Sequence, residues 1–190
     1  MNRANPHQRI VTLAHRSQAL AGNPLGDPHE RSLVVYLPPG YDGGDERRYP
    51  VIWVLAPFGS WGERYFNLQA WDENIVQRME RLIASAAAPP AILAFPDCFT
   101  LFGGSQYVNS PAVGLYEDYL VAELVPFLDE RLRTLPGREH RGVLGYSSGG
   151  YGALMLAMRH PDMFGAVASH SGDKLFEFCY CPDIPGAVRA

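Results

Sequence analysis

Leu144-Gly145-Tyr146-Ser147-Ser148-Gly149-Gly150 joins an apolar run to a helical one and decides the architecture of the chain. Within it, a Gly-x-Ser-x-Gly pattern follows the strand-like residues 142–145 and precedes residues 149–160, which are typical of a helix with a small-residue start. A serine on a sharp turn between strand and helix projects its hydroxyl from the sheet, and the glycines allow close approach. This setting predicts a nucleophile at Ser147, with a structural Gly/Ser turn as the alternative.

Apolar runs bounded by proline, glycine and polar residues predict the other elements. Helical spacing predicts helices over residues 72–87 and 116–132, with Pro126 inside the second. Strands are predicted at residues 32–37, 51–55, 91–95, 142–145 and 166–168, after an extended opening segment at 9–19. The alternation from residue 51 onward predicts an α/β fold, a mainly parallel sheet with helices on both faces. Ligands bind such sheets at the carboxyl ends of the strands.

The bulk composition is that of one soluble domain over residues 1–190, since 47% of the residues are hydrophobic. A net charge of -4, with scattered cations, excludes nucleic acid and anionic membranes as expected partners. Residues 1–8 are polar and hold no signal-peptide core, and no apolar run reaches the roughly 20 residues of a membrane span. Cys98, Cys179 and Cys181 fit neither a disulfide framework nor a zinc site. We therefore expect a cytoplasmic protein without a metal.

A serine that attacks an ester carbonyl needs backbone donors for the developing oxyanion. One expected donor is the N–H of Ser148, the residue after the nucleophile. The second is expected from the loop after the strand at 51–55, where Pro57 has no N–H. Phe58 is therefore the candidate and Gly59 the next choice, with a plain Pro-Gly turn as the alternative reading of this loop.

Several ordered motifs between about residues 25 and 172 carry a family resemblance. They include Val35-Tyr36-Leu37-Pro38-Pro39-Gly40-Tyr41, Phe95-Pro96-Asp97, Tyr116-Glu117-Asp118-Tyr119-Leu120, Gly145-Tyr146-Ser147-Ser148-Gly149-Gly150 and His160-Pro161-Asp162. With these motifs the chain resembles the esterases related to S-formylglutathione hydrolase (esterase D), feruloyl and enterochelin esterases, and the mycolyltransferase antigens. The resemblance implies an α/β-hydrolase fold, a small-molecule ester substrate, no cofactor, and Ser147 as the nucleophile. The chain departs from many relatives in carrying Ala56-Pro57 where they have a His-Gly pair.

Four residues at the expected strand ends are candidates for the pocket wall. Gly59, Asp97, Tyr146 and His170 each follow or end a predicted strand. Caps and loop hydrogen bonds are the structural alternative for such positions.

The base and acid of a catalytic triad are not visible. In this fold they follow the serine in the order acid, then histidine, and each further strand–helix unit takes roughly 30 residues. Too few residues follow Ser147 for two such units. We therefore expect the chain to be part of a longer esterase, lacking the last strands and helices. His170 is the one histidine at a predicted strand end, either a substitute base or a pocket-wall residue. The strand at 166–168 is expected to be an exposed edge, open to homo-oligomer formation.

The leading functional hypothesis is hydrolysis of a carboxylic ester through an acyl-serine intermediate. Two alternatives remain at this stage. One is acyl transfer to a sugar or another alcohol by the same serine. The other is a non-catalytic binding protein on the same fold, because no triad histidine is visible.

Overall fold

A computed structural model describes residues 9–44, 46–68 and 70–189, and these form one central sheet with helices packed on it. The six strands are β1 (Ile10–Arg16), β2 (Glu30–Tyr36), β3 (Val51–Leu55), β4 (Ile92–Pro96), β7 (Arg141–Tyr146) and β8 (Ala166–His170). Their spatial order is β1-β2-β4-β3-β7-β8. The last four in this order run parallel, whereas β1 and β2 are antiparallel additions at the opposite edge. The prediction of an α/β fold with a mainly parallel sheet is confirmed.

Helices cover both faces of the sheet, as predicted. Helix α1 (Ile75–Ala84) packs Val76 and Met79 on one face, against side chains of β2, β3 and β4. Helix α4 (Ser148–Arg159) and the helical segment at 116–131 pack on the other face, where the larger apolar core lies. The strands between the two layers read as continuous apolar runs because both of their faces are covered.

Helix α1 is shorter than the predicted 72–87. It begins after Asn74, whose side chain accepts the N–H of Gln77 while the Gln77 side chain accepts the N–H of Asn74. This reciprocal capping box satisfies donors that the first helical turn leaves open. The helix ends at Ala84, and Ala86 then adopts a left-handed φ of 56°.

The predicted helix at 116–132 changes its winding along its length. Helix α2 (Tyr116–Asp118) runs into a π-helical segment at Tyr119–Leu124 and then into α3 (Val125–Arg131). Pro126 has no N–H and cannot continue the regular hydrogen-bond ladder. The backbone N–H of Val125 reaches back five residues to the carbonyl of Leu120, which is the wider turn of a π-helix.

Three features at the periphery complete the fold. A two-residue hairpin of β5 (Asn109–Ser110) and β6 (Gly114–Leu115) precedes the long helical segment, and the sequence pattern did not predict it. Short helices α5 (Phe176–Cys179) and α6 (Ile184–Ala187) follow β8.

None of the helices in the described ranges has both the length and the apolar character that crossing a bilayer requires.

Candidate active site

Ser147 occupies a sharp turn between β7 and α4. Its backbone has φ 55° and ψ -121°, a region that residues with a Cβ rarely adopt. The turn is held on both sides: the N–H of Ser147 donates to the carbonyl of His170 at 2.9 Å, and its carbonyl accepts the N–H of Tyr151 at 3.0 Å. Strain of this kind persists only where the surrounding structure fixes it, and it is concentrated at functional sites.

Two glycines allow this turn to lie against the sheet. A Cβ at Gly145 would overlap the carbonyl of Gly149, and a Cβ at Gly149 would overlap the carbonyl of Leu55 at the end of β3. The first turn of α4 therefore rests directly on the carboxyl end of the neighbouring strand. Any larger residue at either position would push the helix away from the sheet.

Two backbone N–H groups at this end of the sheet are candidates for the oxyanion donors. Ser148 is buried at the first position of α4, where helix N–H groups lack intrahelical partners. In the loop after β3, the N–H of Gly59 already donates to the carbonyl of Gly103 at 2.8 Å. Within the described part of the chain, the N–H groups of Phe58 and Ser148 have no such partner. Of the two loop candidates, Phe58 is thus the one whose donor is left open.

Tyr107 lies beneath this loop, although no motif or spacing marks it in the sequence. Its side chain is buried, and its hydroxyl donates to the carbonyl of Ala56 at 2.6 Å. Burial raises the pKa of the Tyr107 phenol well above its usual range, so the group remains a protonated donor.

Two of the described histidines lie near the ends of α4, and neither ring is bonded to the Ser147 hydroxyl. His170 ends β8, is exposed, and packs its ring edge-on to Tyr146 at 5.3 Å between centroids. His160 bonds Glu117 at 2.8 Å at the far end of α4. In residues 9–44, 46–68 and 70–189, no histidine ring nitrogen forms a hydrogen bond with the Ser147 hydroxyl.

Asp97 lies at the end of β4 in a braced loop. Its carboxylate accepts the N–H of Phe99 at 3.0 Å and forms an ion pair with the buried Arg31 at 3.3 Å. Burial by itself would lower the pKa of the Arg31 guanidinium, but the charge and hydrogen bond of Asp97, together with Tyr116 and Cys98, raise it overall. Asp97 also borders a cleft of about 460 Å³, which Trp61 lines as well. Gly59 lines a neighbouring cleft of about 270 Å³, which also contains Trp61.

Metal-ligating side chains are dispersed over the molecule. Across the residues that the structure describes, no three histidine, cysteine, aspartate or glutamate side chains gather where they could hold a metal ion.

Comparison with known proteins identifies the family. The model of the family described as "Putative esterase" matches residues 28–174, well over half of the chain. The chain belongs to this esterase family. A curated relative, an endo-1,4-β-xylanase/feruloyl esterase of Xylanibacter ruminicola, is 30% identical over 143 residues, which are 73% of this chain and 19% of that protein.

Solved structures of esterases share the fold. A ferulic acid esterase matches with a TM-score of 0.71 and 28% identity over 86% of this chain and 57% of its own. An S-formylglutathione hydrolase from Agrobacterium tumefaciens matches with a TM-score of 0.59 and 20% identity over 83% of this chain and 56% of its own. The chain thus spans a little over half of these α/β-hydrolase structures. None of the relatives named here favours the acyltransferase or the non-catalytic alternative.

Proposed function

We propose that this chain carries the nucleophile and the oxyanion hole of a carboxylic-ester hydrolase that acts through an acyl-serine intermediate. The observation that carries the proposal is the strained turn at Ser147, held by Gly145 and Gly149 in a member of an esterase family. A turn with this φ and this packing has no structural need for serine, whereas a nucleophile must project from the sheet.

In the proposed reaction, Ser147 Oγ attacks the ester carbonyl as its proton passes to a general base. The carbonyl oxygen becomes an oxyanion, which the N–H groups of Phe58 and Ser148 stabilise. The alcohol then leaves with a proton, and water hydrolyses the acyl-serine by the reverse sequence of proton transfers. Removal of one such donor typically costs about 10²- to 10³-fold in rate, so the position of each N–H matters.

The general base is the part of this mechanism that no hydrogen bond to Ser147 identifies among the described residues. The matched esterase structures are longer than the part this chain spans. We expect the base and its acidic partner to come from the corresponding remainder of the fold. His170 is the alternative within the chain, because its backbone already contacts Ser147.

The substrate is proposed to be a small-molecule ester with an apolar or aromatic portion. Tyr146 directly precedes the nucleophile in sequence, Phe58 lies in the loop after the neighbouring strand β3, and the two residues are 43% and 51% exposed. The relatives include proteins named as feruloyl esterase and ferulic acid esterase. Exposed aromatic rings beside a polar nucleophile are suited to bury an apolar acyl group.

Covalent labelling with a fluorophosphonate probe tests the proposal on the 190-residue chain. Because the triad base is expected outside these residues, we expect slow modification at Ser147. It should be lost completely in Ser147→Ala and unchanged in Ser85→Ala, whose hydroxyl lies at the exposed end of α1. Peptide mapping locates the adduct. A folded chain that resists the probe, as shown by circular dichroism and a labelled control hydrolase, would contradict an activated nucleophile within these residues.

A cytoplasmic location is also proposed. Cys98 is buried, Cys179 and Cys181 are exposed, and all three are free thiols, a state that reducing compartments maintain. Fractionation of the producing cells, followed by detection of the native protein, tests this location.

A further inference from the structure

The segment at 100–107 is held in an unusual backbone conformation. Gln106 and Tyr107 have φ values of 56° and 59°, so two successive residues with side chains occupy the left-handed region. Residues with side chains rarely adopt this conformation, and they keep it only where the surrounding structure fixes it. The chain therefore presents Tyr107 in one orientation at a conformational cost.

Contacts on three sides fix that orientation. The N–H of Tyr107 donates to the Ser105 hydroxyl at 3.2 Å, and the Tyr107 hydroxyl donates to the carbonyl of Ala56 at 2.6 Å. The ring lies against α4 at Gly152, where an added Cβ would come within 2.5 Å of the Tyr107 ring. One side chain thus touches both the loop after β3 and the helix after the nucleophile.

The same segment also anchors the loop on the other side of Phe58. The carbonyl of Gly103 accepts the N–H of Gly59 at 2.8 Å. The Phe58 ring lies over Gly103 and Gly104, with a Cβ at Gly104 reaching within 2.8 Å of it. Ala56 and Gly59 are therefore both tied to one segment, and the fixed φ of Pro57 restricts the residues between them.

The two proposed oxyanion donors belong to the two elements that Tyr107 joins. Phe58 lies on the anchored loop, and Ser148 opens the helix that contains Gly152. The ring contact sets the distance from α4 to this segment, and the hydroxyl sets the position of the Ala56 peptide relative to it. An oxyanion hole requires its donors to be placed before the reaction starts, and small displacements weaken it strongly.

We infer that Tyr107 is a positioning residue that holds the Phe58 N–H in register with the Ser148 N–H, so that the two form one oxyanion hole. This inference rests on the proposed function. Tyr107 does not touch the substrate; its hydroxyl acts through the Ala56 carbonyl and its ring through Gly152.

Tyr107→Phe removes the hydroxyl and keeps the ring against Gly152. We expect the rate of fluorophosphonate labelling at Ser147 to fall by roughly 10- to 100-fold, because the tetrahedral adduct needs the same donors as the oxyanion. The control is Tyr41→Phe, which also removes a tyrosine hydroxyl, in this case one that accepts the backbone N–H of Arg133 at 3.0 Å. It should label within twofold of the unmodified chain. Ser105→Ala, which frees the Tyr107 backbone, should slow labelling less than Tyr107→Phe.

Amide hydrogen exchange gives a readout that does not depend on activity. In Tyr107→Phe the Gly59 amide should exchange at least fivefold faster, while Tyr41→Phe leaves it unchanged. If the Gly59 amide exchanges as expected but Ser147 is never labelled in the unmodified chain, an activated nucleophile within these residues is contradicted and the positioning role stays supported. If the Gly59 amide of Tyr107→Phe exchanges at the same rate as that of Tyr41→Phe, the positioning role is overturned, whether or not labelling is slowed.

Discussion

At the level of single residues, Gly149 shows how closely α4 approaches the sheet. A Cβ at this position would overlap the carbonyl oxygen of Leu55, a backbone atom that cannot rotate away. We expect Gly149→Ala to lower the free energy of unfolding by about 2 kcal/mol or more, since overpacking against backbone forces the helix to shift. Chemical denaturation measures the change.

The matched variant is Gly186→Ala, because a Cβ there meets no atom within 4 Å and the residue has no left-handed φ. We expect it to change the free energy of unfolding by less than about 0.5 kcal/mol, as exposed substitutions usually do. Equal stability of the two variants would show that α4 does not rest on β3 as described.

Residues inside a local motif could be predicted, and residues that act across the chain could not. The pattern around Ser147 specifies a strand, a turn and a helix that are contiguous in sequence, and the structure contains that turn. The role of Tyr107 depends on a contact with Ala56 that joins residues 51 positions apart. Its left-handed backbone also lies at a position without glycine, which composition rules do not indicate.

At the level of elements, Glu123 fastens the π-helical segment to the chain that follows β1. One carboxylate oxygen accepts the N–H groups of Gln18 and Ala19 at 2.9 and 2.7 Å, and the other lies 3.1 Å from His15 Nε2. Burial by itself would raise the pKa of this carboxyl, but hydrogen bonds from Ser17, Ala19, His15 and Gln18 outweigh it and lower the pKa. The ionised form is therefore the one that the fold stabilises.

This shift gives stability a pH dependence with a defined sign. The folded pKa lies below the ordinary glutamate value of about 4.3, so the stabilisation is present above that value and is lost as the pH falls through the folded pKa. We expect Glu123→Gln to destabilise the chain by about 1–3 kcal/mol at neutral pH. The difference in the free energy of unfolding between the unmodified chain and this variant should narrow as the pH falls below about 4. Urea unfolding at several pH values measures it.

Glu130→Gln is the control, because this glutamate is exposed on α3. It should change the free energy of unfolding by much less than Glu123→Gln does at neutral pH. If the destabilisation by Glu123→Gln does not change with pH, the charge of the Glu123 carboxylate does not hold the π-helical segment in place.

Elements could be predicted where one physical signal dominates. Residues 51–55 were predicted to the residue, because a buried apolar run between polar segments leaves little choice of limits. Helix ends were predicted less well, because they depend on single contacts such as the capping box of Asn74 and Gln77. The hairpin of β5 and β6 has only two residues per strand, too few for alternation to appear.

At the level of the whole molecule, β8 is the outer strand of the sheet and was predicted as an exposed edge. Ala166, Val167 and Ala168 are all exposed, and an apolar cleft of about 440 Å³ runs from Ala166 past Leu144 to α1. The order of the strands was not predictable, since it depends on pairings such as β3 with β7 between distant segments. An outer strand with unpaired backbone groups and apolar side chains invites pairing with another strand.

We propose that the 190-residue chain self-associates through β8. Val167 is 45% exposed, and a lysine there places a charge on the edge, the device by which natural sheets prevent such pairing. We expect Val167→Lys to raise the dissociation constant of the dimer at least tenfold in sedimentation velocity. Met158→Lys adds the same charge on helix α4 instead of on the strand, at a residue that is 65% exposed. Because net charge changes equally in both variants, weakening by Val167→Lys alone assigns the contact to β8. If both variants weaken the dimer equally, the effect is due to overall charge. A chain that stays monomeric at high concentration would exclude the edge of β8 as an interface.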